Sequence, residues 1–119
     1  MTRVQSLEGR HRLCVLKFGS SVLERQEDYR TAAQEVYRHV RDGEKIVAVV
    51  SALAGETDFL LDQAGLVGGE APPALVARLA RVGELRSAAL MALALCRVAP
   101  RSSRRTAAAS RSGVAGLRR

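Results

Sequence analysis

The chain has 119 residues, which is enough for one small domain with a modest core. Basic and acidic residues, 12 of each, balance up to Cys96, whereas residues 97–119 carry seven Arg and no acid, so the formal charge of +7 belongs to the tail alone. A neutral body without aromatic interleaving in the basic tail argues against a nucleic-acid-binding domain. The longest apolar run, residues 88–96, falls well short of the about 20 residues that span a bilayer, and no signal-peptide pattern is present. We therefore expect a cytoplasmic protein with no nucleic-acid or membrane partner.

The first half of the chain predicts a strand, a helix and a second strand. Residues 13–17 predict a short buried strand that ends at Lys17. Residues 24–42 have the apolar spacing of one helix face, and Gly43 is expected to end that helix. Residues 46–50 (IVAVV) predict a strand covered on both faces. The fold class is therefore α/β, with a parallel sheet start flanked by helices.

The next segment is predicted to be helical. Residues 57–64 predict a short helix that is capped by its first residue or by the preceding loop. Residues 65–73 form a turn-rich connector. Residues 74–81 and 83–98 predict helices, either one kinked rod or two pieces that meet near Gly83.

The composition changes at the end of the chain. From Pro100 onward Arg, Ser, Ala and Gly recur without apolar periodicity, which predicts disorder. We therefore divide the chain into a partial domain over residues 1–98 and an Arg/Ser/Ala-rich tail over residues 99–119.

Cysteines and histidines are the first residues to consider for metal chemistry. Cys14 and Cys96 have no CxxC partner and no histidine at ligand spacing, so we predict buried, reduced thiols. His11 and His39 lie among polar and charged residues and are predicted to be solvated. No residue is assigned as a metal ligand.

Loops that follow the strands are the candidate ligand-binding positions, because the carboxyl ends of strands and the starts of helices meet there. The first loop combines Lys17, Gly19, Ser20 and Ser21, and this set suits a phosphate: the lysine offsets charge while amides and hydroxyls donate hydrogen bonds. It is not a Walker A loop. Taken alone, a Gly-Ser turn is common, and residues 51–58 can equally be read as a plain connection.

Two loops and a later helix, taken in order, make a more specific pattern. Residues 15–22 (VLKFGSSV) are similar to K-F-G-G-S/T-S-V/L, residues 49–58 (VVSALAGETD) to V-V-S-A-x-x-G-x-T-D/N, and residues 83–90 (GELRSAAL) to G-E-x-x-S-A-x-L. These are motifs of the aspartokinases, members of the amino-acid-kinase family. The resemblance covers residues 12–98 and implies the N-terminal half of an amino-acid-kinase domain of the carbamate-kinase-like kind.

The resemblance implies an activity and a set of site residues. The activity is ATP-dependent phosphorylation of the aspartate side-chain carboxylate to an acyl phosphate, with Mg²⁺, as the first step toward lysine, threonine and methionine. Lys17 would be catalytic, stabilising the transferring phosphoryl group. The residues that would contact the ATP phosphates are Lys17, Gly19, Ser20 and Ser21. The residues that would hold aspartate are Ser51, Gly55, Thr57 and Glu84, with Glu84 facing its ammonium group.

Departures from the motifs leave three alternatives open. The single glycine before Ser20 also resembles the K-x-G-S-S-x-L pattern of glutamate 5-kinase, which would make glutamate the acceptor. Arg81 and Val82 stand where the family generally has Ser or Thr, which is similar to kinase-like domains fused to homoserine dehydrogenase. We also expect the chain to be inactive by itself, as a non-catalytic fragment or pseudoenzyme, unless a homo-oligomer or a further domain completes the site.

Overall fold

The structure is a computed structural model that describes residues 2–8, 11–99, 108–109 and 114–117, with side chains described for residues 12–99. The described residues form five strands and three helices. In chain order these are β1 (Thr2–Glu8), β2 (His11–Phe18), α1 (Glu27–Arg41), β3 (Lys45–Val50), α2 (Glu56–Gly68), α3 (Pro73–Val98), β4 (Ala108–Ala109) and β5 (Val114–Leu117).

The strands form one mixed sheet in the order β1-β2-β3-β5-β4. β2 and β3 are parallel, in a register that runs from Leu13 opposite Lys45 to Phe18 opposite Val50. β1 lies antiparallel to β2, and β5 lies antiparallel to both β3 and β4. The predicted α/β fold with a parallel strand pair is confirmed, and antiparallel strands extend the sheet on either side of that pair.

The core lies on one face of the β2–β3 pair, where alternate residues of each strand are buried under α1 and α3. The core residues from the two strands are Cys14, Leu16, Phe18, Ile46, Ala48 and Val50. The helices contribute side chains that include Ala33, Val36, Met91 and Leu95. On the other face Val47 and Val49 of β3 are only half-buried. Within the described residues this strand is therefore fully covered on one face and partly covered on the other, where full cover of both faces was predicted.

α1 begins three residues later than predicted, because a side chain holds the backbone amides that precede it. The Asp28 carboxylate accepts hydrogen bonds from the N–H groups of Glu24 and Arg25, at 3.0 and 2.9 Å. At the other end Gly43 adopts a φ of 90°, as the sequence predicts for a helix-ending glycine. Its N–H donates to the Val40 carbonyl, which together with Glu44 N–H to His39 O makes a Schellman motif.

α2 and α3 are longer than the sequence predicts. α2 continues through Gly65 to Gly68, so the connector shrinks to residues 69–72. α3 is one continuous helix, and Gly83 lies buried inside it. A Cβ at Gly83 would lie 3.2 Å from the Ala52 Cβ and 3.3 Å from the Leu60 Cδ1. Gly83 therefore serves close packing against the preceding loop and helix, and it does not break α3.

His39 corrects another prediction. It is 8% exposed, not solvated, because α1 carries it against the sheet. Cys14 is fully buried, as predicted, while Cys96 is only partly buried, and neither forms a disulfide within the described residues.

The two ends of the chain contribute to the sheet, which composition did not predict. β1 lies before the first predicted strand, and β4 and β5 lie within the predicted tail. Residues 100–107, 110–113 and 118–119, on which the disorder prediction mainly falls, lie outside the described residues. That prediction and the division at residue 98 stay predictions. No helix within the described part of the chain has the length and apolar character needed to cross a membrane.

Candidate functional site

Two predicted ligand-binding loops lie side by side at the carboxyl ends of β2 and β3. The Ser51 N–H donates to the Phe18 carbonyl at 3.0 Å, and the Ala54 N–H donates to the Leu23 carbonyl at 2.9 Å. Because the two strands are parallel, both loops leave the sheet at the same edge. This edge is therefore the candidate site.

The first loop makes a single turn just after β2. The N–H groups of Val22 and Leu23 both donate to the Gly19 carbonyl, at 3.0 and 2.9 Å. Ser20 and Ser21 are exposed, and their own N–H groups donate to no backbone carbonyl of the described residues. Two amides and two hydroxyls at one exposed turn are a donor set that suits phosphate oxygens.

Lys17 supplies the cation of this loop. It is exposed, while its neighbours Leu16 and Phe18 are buried, because successive side chains of a strand point to opposite faces. The lysine ammonium therefore stays in water at the end of β2, and the strand on either side of it is anchored in the core.

The two glycines of the predicted site differ in whether the fold requires a glycine at their position. Gly55 has a φ of 82° and forms the N-cap of α2, so the backbone there requires a glycine. Gly19 has no such requirement, since a Cβ built on it would meet nothing within 4 Å. The turn at Gly19 is thus open to the outside of the chain within the described residues.

The second loop leads directly into α2. Of the two caps that the sequence allows, the preceding loop is observed, because Gly55 is the N-cap and no side chain caps the helix. Thr57 lies exposed in the first turn, so its hydroxyl is not used as a cap. Ser51 is half-buried, and its hydroxyl donates to the Ala52 carbonyl at 3.0 Å.

α3 brings the third motif to the same place. Gly83 packs on Ala52 and Glu56 of the second loop and α2, and the adjacent Glu84 is exposed. The structure thus gathers all three motif segments at one edge of the sheet. The predicted residues of these segments are Lys17, Gly19, Ser20, Ser21, Ser51, Gly55, Thr57 and Glu84.

Sequence reasoning missed the contacts that hold α3 in this position. Tyr29 of α1 and Ser87 of α3 share a buried hydrogen bond of 2.7 Å, and Arg86 pairs with Glu56 at 3.2 Å. The serine of the third motif is therefore structural. A tyrosine on an otherwise apolar helix face was the available signal, since a buried tyrosine hydroxyl needs a partner.

Tyr29 gives a pH-dependent prediction. Burial, opposed by the Ser87 hydrogen bond, raises the pKa of Tyr29 above its ordinary value of 10.0. As the pH rises through about 10, the unfolded chain loses this phenolic proton first, so the stability that the buried hydroxyl provides falls. At neutral pH, Tyr29→Phe is expected to destabilise by about 1–3 kcal/mol, because it leaves the buried Ser87 hydroxyl without the tyrosine.

The free energy of unfolding of the wild type and of Tyr29→Phe is measured in urea from neutral pH to above pH 10. All other ionisable groups are common to the two chains and cancel in the difference. The stability difference should be constant up to just below pH 10 and shrink above it; a difference that grows with pH would contradict the assignment.

Comparison with known proteins agrees with this fold. The model of the amino acid kinase family matches residues 12–112, which is most of the chain. The chain therefore belongs to the amino acid kinase family.

Within this family, the similar proteins are aspartokinases. The aspartokinase of Mycolicibacterium smegmatis is 37% identical over 83 residues, which are 70% of this chain and 20% of that protein. The aspartokinase of Helicobacter pylori is 36% identical over 90 residues, or 76% of this chain and 22% of that protein. The crystal structure of aspartate kinase from Synechocystis superposes with a TM-score of 0.68 at 34% identity, covering 72% of this chain and 15% of that one. The resemblance drawn from the motifs is confirmed.

The similarity has a defined extent. The chain spans about a fifth of the length of the curated relatives that it matches.

Proposed function

We propose that this chain carries the phosphate-binding and amino-acid-binding part of an aspartate kinase. A carboxylate oxygen of aspartate would attack the γ-phosphorus of ATP, the bond to the β-phosphate oxygen would break, and ADP and an acyl phosphate would leave. The observation that carries the proposal is the meeting of the three motif segments at one sheet edge through the Ser51–Phe18 and Ala54–Leu23 hydrogen bonds and the packing of Gly83.

The chemistry needs alignment and charge neutralisation more than it needs an acid or a base. The attacking aspartate carboxylate is already ionised at neutral pH, so no residue has to remove a proton from it. Lys17 would neutralise the charge that develops on the transferring phosphoryl group, and the turn at Ser20 and Ser21 would donate hydrogen bonds to phosphate oxygens. When bound, Mg²⁺ would neutralise further charge on the ATP phosphates, and we assign it no ligand on this chain.

The acceptor would lie beside the second loop. The ammonium group of aspartate is expected to pair with the exposed Glu84 carboxylate. Thr57, in the first turn of α2, would donate a hydrogen bond to a substrate carboxylate, supported by the positive end of that helix. Gly55 keeps the backbone in the conformation that starts α2 there, and Ser51 lines the same loop.

Glutamate is the second candidate acceptor. The single glycine in Lys17-Phe18-Gly19-Ser20 favours it, since this form resembles glutamate 5-kinase. A non-catalytic chain is the third alternative, because the matched segment is a small part of each relative. As part of the same proposal, the reaction would be the first step toward lysine, threonine and methionine, and it would take place in the cytoplasm. A second copy of the chain or a further domain would complete the site.

Hydroxylamine trapping separates these alternatives, since it converts an acyl phosphate into a hydroxamate. The chain is incubated with MgATP, hydroxylamine and either aspartate or glutamate. Hydroxamate with aspartate alone supports the proposal, and hydroxamate with glutamate supports the second candidate. If neither acid yields product while the chain is folded, the chain is non-catalytic by itself.

Gly19→Ala is expected to separate binding from folding. The added methyl group meets nothing within 4 Å in the chain, so stability should stay the same or rise slightly. Affinity for MgATP should fall roughly tenfold, because a methyl group at this turn would hold the phosphates away from donors worth about 1.5–3 kcal/mol each.

Calorimetric titration with MgATP and thermal unfolding measure the two effects. Gly65→Ala is the matched control, since a Cβ at Gly65, within α2, also meets nothing within 4 Å. Equal MgATP affinities for the two variants would place the phosphates away from this turn.

A further inference from the structure

Three buried side chains with metal-binding atoms meet at the edge of the sheet opposite the candidate site. Cys14 belongs to β2, His39 to the last turn of α1, and Glu44 immediately precedes β3. They are 0%, 8% and 6% exposed. One atom from each, the cysteine sulfur, an imidazole nitrogen and a carboxylate oxygen, lies within 4.8 Å of the other two. Since β2 and β3 are parallel, their starting ends lie away from the loops that follow Phe18 and Val50.

The spacing between His39 Nδ1 and Glu44 suits a shared cation better than a direct contact, and Glu35 lies beside the other ring nitrogen. Nδ1 lies 3.5 Å from the Glu44 Oε2, and Nε2 lies 3.4 Å from the Glu35 Oε1. A charge-assisted hydrogen bond is shorter, about 2.7–2.9 Å. Ligand atoms around a tetrahedral zinc ion, with bonds of about 2.0–2.3 Å, lie roughly 3.3–3.7 Å apart. The separation of Nδ1 and Oε2 falls in that range.

We propose that Cys14, His39 and Glu44 bind a divalent transition-metal ion of the zinc class. A thiolate, an imidazole and a carboxylate select zinc or cobalt over magnesium, which prefers oxygen ligands. The site is thus distinct from the magnesium of phosphoryl transfer. Nδ1 of His39 would face the metal, and Glu35, at 3.4 Å from Nε2, is the positioning residue that would orient the ring.

Charge balance is compatible with an ion in this location. A divalent cation, one thiolate, one carboxylate and a neutral imidazole sum to zero, so the buried cluster carries no net charge. Binding displaces the proton of the Cys14 thiol to solvent, along with the imidazole proton when His39 is charged. The ion would tie the end of α1 to the starts of β2 and β3, elements that are otherwise joined through the core.

Cobalt titration of the chelator-treated, folded full-length chain tests the proposal. Wild type should bind a single equivalent of Co²⁺ with the near-ultraviolet absorption of a thiolate–cobalt bond, and Zn²⁺ should displace it. Cys14→Ser should lose that absorption band. Cys96→Ser, at the partly buried second cysteine of the chain, is the matched control and should keep it.

Two further variants keep the test decisive if Cys14→Ser does not fold. Glu35→Gln removes the partner that orients His39 and should lower the Co²⁺ affinity by about 10–100-fold. Glu44→Gln preserves the side-chain volume, removes a metal ligand and should lower the Co²⁺ affinity at least as much. Glu35→Gln should keep the thiolate band, because the glutamate does not touch the metal. A folded wild-type chain that binds no Co²⁺, a band that survives in Cys14→Ser, or unchanged affinity in Glu44→Gln would each overturn the proposal and leave a buried contact between His39 and Glu44.

Discussion

Lys17→Met is expected to lower the rate of phosphoryl transfer by about 10²–10³-fold, the loss typical when one preorganised group that stabilises transition-state charge is removed. The substitution removes the cation of the first loop and keeps most of the apolar length of the side chain. Since Lys17 is exposed, stability should change by no more than about 0.5 kcal/mol. Loss of rate with an intact fold would identify the lysine as part of the chemistry.

The measurement is hydroxamate formation with MgATP and the accepted amino acid, together with thermal unfolding. If the wild-type chain makes no product by itself, the ratio of its affinities for MgATP and MgADP replaces the rate, because Lys17 would contact the γ-phosphate. Lys45→Met is the matched control: Lys45 is also an exposed strand lysine, but it begins β3 at the opposite edge. Equal effects of the two substitutions would show that only net charge matters, contrary to the proposed role of Lys17.

Phe18→Ala is expected to destabilise the chain by about 3–5 kcal/mol, the loss typical for a buried phenylalanine. Phe18 is 1% exposed, ends β2 and packs in the core under α1 and α3. A domain of this size has a total stability of only about 5–15 kcal/mol, so this loss would remove roughly a fifth of it or more. Phe18 therefore has a structural role within the first predicted ligand-binding motif.

Urea unfolding of Phe18→Ala measures this loss, with Phe59→Ala as the matched control. Phe59 lies in α2 and is 60% exposed, so its truncation should change stability by no more than about 0.5 kcal/mol. A small effect at Phe18 would contradict its assignment to the core. A large effect at Phe59 would mean that α2 packs more tightly than its exposure indicates.

Local sequence patterns predicted the elements that support the site. Residues 13–17 are an apolar run that ends at a lysine before a Gly-Ser turn, residues 46–50 are an apolar run between Lys45 and Ser51, and both lie within strands. Residues 24–42 have a helical period, and the helix found there ends where Gly43 supplies a positive φ. Such predictions succeed because each depends on contacts between residues close in the chain.

Packing between distant residues decided the rest. The sequence suggests a helix break at Gly83, yet α3 is continuous there, and a Cβ at this position would lie only 3.2 Å from Ala52 and 3.3 Å from Leu60. His39 reads as a solvated residue between charged neighbours, yet α1 turns it toward Glu44 and the start of the sheet. No spacing rule relates Cys14 to His39 or Glu44, so the cluster is visible only in three dimensions.

The sequence by itself determined the βαβ unit, the family resemblance and the loops that carry the candidate site, because periodicity, turn residues and motif order are local properties of the chain. The tertiary structure decided how the three motif segments meet and which glycines the backbone needs. It also decided that Tyr29 of α1 forms a hydrogen bond with Ser87 of α3. Those features depend on which residues approach one another when the helices cover the sheet, and that proximity is not encoded at any fixed spacing along the chain.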